Sequence, residues 1–155
     1  MSKAFQFLFF GSILFAFTAC DSKRVYEQNI DIPEYIWDKE NPIYFDVPIT
    51  DTVSFHNVYI NIRNASGYGY SNLYLFLDTK YPNNTMSRDT IECILADPFG
   101  KWLGDGSGDI WDNQILFKKN VRFRQLGTYK FRYEQAMRMP KLPMIMDVGL
   151  RIEKQ

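Results

Sequence analysis

From residue 42 onward the chain reads as short runs of β-branched and aromatic residues, several of which alternate apolar and polar one by one, and a helical period is hard to find there. In Tyr129-Lys130-Phe131-Arg132-Tyr133-Glu134 the aromatics fall on one face and the charges on the other. Val58, Ile60 and Ile62 share a face, while Tyr59, Asn61 and Arg63 share the opposite one. Successive side chains of an extended strand point to opposite sides, so this period of two marks antiparallel sheets with one face on a core and one in water. The candidate strands are Ile43–Ile49, Val53–Arg63, Asn72–Asp78, Thr90–Ala96, Gln114–Lys119, Gly127–Glu134 and Asp147–Ile152. Gly, Pro, Asn and Asp punctuate the links between them. Leu73-Tyr74-Leu75-Phe76-Leu77 is apolar on both faces, which predicts a central strand covered from both sides. Tyr133–Met139 has room for a turn of helix before Pro140 and Pro143 stop it. The pattern predicts an all-β fold, a single antiparallel β-sandwich, with immunoglobulin-like and jelly-roll topologies both open.

The first twenty residues follow a different logic. Residues 4–19 form an apolar run preceded by one cation, Lys3, and no further charge occurs before Asp21. Gln6, Ser12 and Thr18 interrupt the run, and it falls short of the roughly 20 apolar residues of a spanning helix. A basic start, an apolar stretch and a small-residue exit read as a signal peptide. The exit, Phe17-Thr18-Ala19-Cys20, resembles the lipobox of bacterial lipoproteins, in which the leader is cut before a cysteine that carries acyl chains. Phe17 stands where that pattern usually has a leucine-like residue, and an uncleaved anchor helix is the competing reading. Several acyl chains on Cys20 anchor a protein durably where one is marginal. The expected organisation is a signal peptide over 1–19, a lipidated N-terminus and tether over 20–41, and the β-sandwich over 42–155. One domain suits a chain of 155 residues.

The leader removes one of the eighteen basic residues and none of the eighteen acids, leaving a net charge of −1. A nearly neutral domain has no bulk field to draw in nucleic acid, and none is expected as a partner. Of the two cysteines, Cys20 is assigned to lipid and Cys93 lies in the apolar run Ile91–Ala96, so no disulfide framework is expected.

Groups for catalysis are sparse. His56 is the one histidine, and it lies in a candidate strand, where a structural role is the ordinary one. Neither a nucleophile elbow nor a phosphate-binding glycine loop is present, and no cofactor is implied. The long link 97–113 gathers Asp97, Asp105, Asp109 and Asp112 with four glycines, Trp102 and Trp111. Asp105, Asp109 and Asp112 are candidate ligands for a hard cation such as Ca²⁺, although the spacing is not that of an EF-hand loop. Turn geometry explains the same Asp and Gly residues. Trp102 and Trp111 are candidates for an aromatic platform that takes a glycan or a partner loop, with packing on the sandwich as the alternative. Met137, Met139, Met144 and Met146 crowd into one stretch with Pro140 and Pro143. Flexible thioethers suit both an adaptable contact surface and the filling of core gaps. Asp51-Thr52-Val53 and Asp89-Thr90-Ile91 resemble the Asp-Thr-apolar pattern of bacterial O-glycosylation in the Bacteroidota, with Thr52 and Thr90 as acceptors.

Several blocks together resemble the gliding motility lipoprotein GldH family of Bacteroidota. They are Val25-Tyr26-Glu27, Asn72-Leu73-Tyr74-Leu75-Phe76, Asp89-Thr90-Ile91-Glu92-Cys93, and Gly100-Lys101-Trp102-Leu103-Gly104 through Gly108-Asp109. Gly127-Thr128-Tyr129, Gln135-Ala136-Met137-Arg138 and Asp147-Val148-Gly149-Leu150-Arg151-Ile152-Glu153 continue the match. The resemblance implies a non-enzymatic accessory lipoprotein of the gliding and type IX secretion machinery, acting as a scaffold or assembly factor. It carries over no catalytic residue. Ser22-Lys23-Arg24 lacks the acidic run linked to surface export in this phylum, which favours the periplasmic face, and the outer over the inner membrane. The readings that compete are a glycan-binding module using Trp102 and Trp111, and a hydrolase or metal-dependent enzyme built on the four aspartates.

Overall fold

Side chains that alternate along the sequence become the two faces of each sheet. The computed structural model describes residues 21–155. Eleven strands occur among them: β1 (Arg24–Asp31), β2 (Ile36–Asp38), β3 (Ile43–Ile49), β4 (His56–Ala65), β5 (Asn72–Lys80), β6 (Met86–Ile94), β7 (Asp105–Ser107), β8 (Ile110–Val121), β9 (Gly127–Gln135), β10 (Lys141–Pro143) and β11 (Ile145–Lys154). A five-stranded sheet runs β1-β11-β4-β8-β7 and a four-stranded sheet runs β3-β9-β5-β6, with a two-stranded ribbon of β10 and β2 beside them. Every pairing is antiparallel. The described residues contain one 3₁₀ turn, Pro33–Tyr35, and no α-helix.

The inner faces meet in one core. Val58, Ile60 and Ile62 of β4 and Val148, Leu150 and Ile152 of β11 come from the larger sheet. Phe45 and Val47 of β3, Leu73, Leu75 and Leu77 of β5, and Tyr129, Phe131 and Tyr133 of β9 face them from the smaller one. Each such side chain contributes about 1.5–3 kcal/mol by leaving water, which offsets the ordering of the strands. The expected all-β antiparallel sandwich is what the chain forms.

Two local expectations are corrected, the extent of the tether and the covering of β5. Within the stretch 20–41, expected as a tether that becomes ordered as it reaches the domain, order begins as early as Arg24: β1 pairs along β11 from Arg24↔Glu153 to Asp31↔Asp147. Its sequence is mostly polar because an edge strand can be held by backbone hydrogen bonds while its outer face stays wet. The isolated aromatic Trp37 is 1% exposed and is a core anchor. The link 97–113 follows the turn reading of its Asp and Gly residues: Ala96 bridges Trp102, and β7 and β8 form a hairpin around Gly108 and Asp109. β5 is central, between β9 and β6, but only its Leu face is covered. Tyr74 is exposed, and Phe76 lies under the Arg88 guanidinium at 5.2 Å.

Register sorts the connections into two ends. Arg24 sits beside Glu153, Lys154 beside His56, and His56 beside Val121. In the smaller sheet Ile49 sits beside Gly127, and Lys80 beside Lys130 and Met86. The end where the chain enters β1 therefore carries links 50–55, 81–85 and 122–126 together with the C-terminus. Backbone and side-chain bonds tie it together, including Lys154 N–H to the Lys23 carbonyl (2.7 Å) and Asn83 N–H to Gln125 Oε1 (3.2 Å). The far end carries 32–35, 66–71, 95–104, 108–109 and 136–140. Ten-residue strands such as β4 separate the two ends by roughly 33 Å.

Candidate functional site

The methionine–proline segment lies at the far end, and a buried amide fixes its path. Gln135, fully buried at the end of β9, donates from Nε2 to the Met139 carbonyl (2.8 Å) and the Pro140 carbonyl (3.1 Å). Its Oε1 accepts from Met137 N–H at 2.9 Å. Buried backbone groups need such partners, so one side chain sets the turn that follows β9. The four methionines then divide. Met137 is buried and its sulfur accepts from Tyr74 N–H at 3.3 Å. Met139 is exposed, with the Tyr70 hydroxyl donating to its sulfur at 2.9 Å. Met144 is exposed at a positive φ of 68° and lies on Gly67, while Met146 is half-buried. Tyr70, Met139, Leu103 and Phe99, the last 95% exposed, give this end apolar tips. Sequence reasoning missed Gln135, Tyr70 and Phe99. The lone amide closing an aromatic strand, just before two prolines, was the available signal for the first.

Trp102 and Trp111 are half-buried and serve different contacts. Trp102 leans toward Tyr68, with ring centroids 6.5 Å apart. The Trp111 ring covers Gly106, where an added Cβ would stand 2.2 Å from it, and its Nε1–H donates to Ser66 Oγ at 2.9 Å.

Asp105 and Asp112 face each other across the β7–β8 hairpin, and Asp109 lies in its turn. Asp112 is engaged by Arg63 at 2.6 Å, and Arg63 also reaches Asp147 at 3.0 Å. The Asp109 carbonyl accepts from Ser66 N–H. Among the described residues no three His, Cys, Asp or Glu side chains are placed to hold a metal ion. Asp97 is a turn former: its Oδ1 accepts from the N–H groups of Phe99 and Lys101, both at 2.9 Å. A polar groove of about 330 Å³ crosses the outer face of the larger sheet past Asn29, Asn61, Arg63, Asp112 and Asp147.

Asp147 is the buried carboxylate of this groove, and burial raises its pKa despite Arg63 beside it. A group whose folded pKa lies above its unfolded one stabilises fully below the unfolded value and loses that contribution as pH rises through the folded value. Asp147→Asn is therefore expected to be more stable than wild type at neutral pH, with Arg63 still held by Asp112. The gain should vanish below about pH 4, where the unfolded aspartate is itself protonated. Thermal melts across this range check the sign, and a destabilised variant at neutral pH would show that the Arg63 pairing outweighs burial.

The remaining candidates are dispersed. His56 is 1% exposed, stands edge-on to Phe123 at 5.2 Å, and its Nδ1 finds no partner among the described residues. Cys93 is fully buried, and burial pushes its thiol up to about 12. Thr90 is exposed on the edge strand β6. Thr52 is half-buried in a turn where Asp51 accepts from the N–H groups of Val53 and Ser54. Lys154 and Ser54 hold the Asp51 carboxyl well below its usual range. Cys20 and the expected leader lie outside the described residues.

Comparison with known proteins then adds what geometry does not. The family of GldH lipoproteins matches residues 24–152. The chain is 38% identical to the gliding motility lipoprotein GldH homolog of Christiangramia forsetii, an alignment covering 99% of this chain and 98% of that protein. It is 32% identical to the gliding motility lipoprotein GldH of Flavobacterium johnsoniae, over 88% of this chain and 89% of the relative.

Proposed function

We propose, from the premise that the chain belongs to the GldH lipoprotein family, that it is a non-enzymatic scaffold of the gliding and type IX secretion machinery. It is associated with the cell envelope as a lipoprotein. Acyl chains on Cys20 hold it there, on the periplasmic face and by preference in the outer membrane. The domain binds other machinery proteins rather than transforming a substrate. The observation that carries this reading is the far end of the sandwich, where Tyr70, Met139, Leu103 and Phe99 stand in water on a framework fixed by Gln135. Aromatic and methionine side chains are the residue types enriched at protein interfaces, and here they gather at one end of the sandwich. That end lies away from the point where the chain enters β1, so a tethered domain presents it outward.

Crosslinking in native membranes followed by purification of the intact lipoprotein tests the proposal. Gliding or secretion components are expected among the captured proteins. Recovery of none, under conditions that keep known envelope complexes together, contradicts it.

A further inference from the structure

The entry end carries a second surface, of different chemistry. Only Asp21, Ser22 and Lys23 separate Cys20 from β1, a span of about 10 Å even when fully extended. Asp21 is itself gripped by Arg151, which also takes Glu27 and Glu153. The tether has almost no slack, so acyl chains on Cys20 would bring this end of the sandwich down to the headgroup layer.

What the end presents suits that place. Residues 118–127 include Lys118, Lys119, Arg122 and Arg124 and no acid. Lys118 is paired with Asp89 at 3.0 Å. Lys119, Arg122 and Arg124 are exposed and make no salt bridge among the described residues. Beside them Val53 is 76% exposed, Leu126 63% and Phe55 44%, with the Arg122 guanidinium 4.3 Å from the Phe55 ring centroid. Between the sheets a cleft of about 390 Å³ runs past Phe117, Phe123 and Tyr129, with Arg122, Arg124 and Gln125 also in its lining. Cations interleaved with apolar tips match a bilayer surface, where phosphates lie just above the acyl boundary.

We propose that the entry end is a docking face for the anionic headgroups of the membrane that holds the chain, with Arg122 and Arg124 on phosphates and Val53, Phe55 and Leu126 at the acyl boundary. The proposal rests on the reading of Cys20 as the lipid anchor. It adds an orientation: the strands stand up from the bilayer, and the Tyr70–Met139 end faces away. Each lysine or arginine near an anionic surface is worth about fivefold in partitioning, so the two arginines govern how long the domain stays upright.

Full-length lipoprotein with a fluorophore at Val53→Cys or Phe99→Cys, reconstituted into phosphatidylethanolamine–phosphatidylglycerol nanodiscs containing a headgroup quencher, tests this. Cys93 is fully buried and escapes labelling. The Val53 label is expected to be quenched several-fold more than the Phe99 label. The difference should shrink at least severalfold in phosphatidylcholine discs, and in anionic discs with Arg122→Glu and Arg124→Glu together. The comparison of disc types needs no charge substitution, so it stands even if that variant folds poorly. Equal quenching of the two labels, or stronger quenching at Phe99, in discs that retain the protein would overturn the docking face alone. Loss of the protein from the disc fraction would overturn the anchor and the face with it.

Discussion

Trp37→Ala is expected to remove about 3–5 kcal/mol of folding stability, the range for deleting a fully packed aromatic side chain. That is a large share of the 5–15 kcal/mol available to a typical domain. The indole is 1% exposed, and its Nε1–H donates to the Asn41 carbonyl at 3.3 Å. Its strand β2 pairs with β10, Trp37 facing Leu142, so the same residue closes the ribbon behind Gln135. Removing it leaves a cavity and loosens the framework of the Tyr70–Met139 end. Urea unfolding measures the loss as a lower midpoint at constant slope. A change below about 1 kcal/mol would mean that the segment between β1 and β3 contributes little to the core.

Gly149→Val is expected to cost about 3 kcal/mol, the upper part of the range for overpacking a filled site. Gly149 is buried in β11 opposite Asn29 of β1. A Cβ there would stand 1.8 Å from Asn29 Oδ1 and 2.8 Å from the Gln28 carbonyl oxygen. The amide can swing away, but the carbonyl belongs to the β1 backbone. β1 must therefore shift or detach, and with it goes the strand that follows the proposed anchor. Limited proteolysis near residues 24–31 reports this directly. Wild-type resistance there, together with unchanged stability, would show that β1 tolerates the intrusion.

The sandwich was legible in the sequence because its strands obey a period of two, as in Val58–Arg63 and Tyr129–Glu134. β1 was not, because a polar edge strand has no such pattern and is held by register with β11. β2 and β10 are three residues each, too short to show any period. The methionine segment stood out from composition, yet Met137 and Met139 differ only by which way the chain turns after Gln135. Tyr70 joins Met139 across 69 residues of sequence, and no local pattern announces such a meeting. The cations of 118–127 were visible as residues, but only the strand register places them at the end where the chain enters.

Site-specific photo-crosslinking in cells of the native organism shows which end of the sandwich meets protein partners. A crosslinking residue at Phe99 or Tyr70 samples the far end, and one at Asn83 samples the entry end. Discrete adducts with gliding or secretion proteins are expected from Phe99 or Tyr70 and none from Asn83. Protein adducts from Asn83 alone, with the far end silent, would show that the far end is not the partner surface.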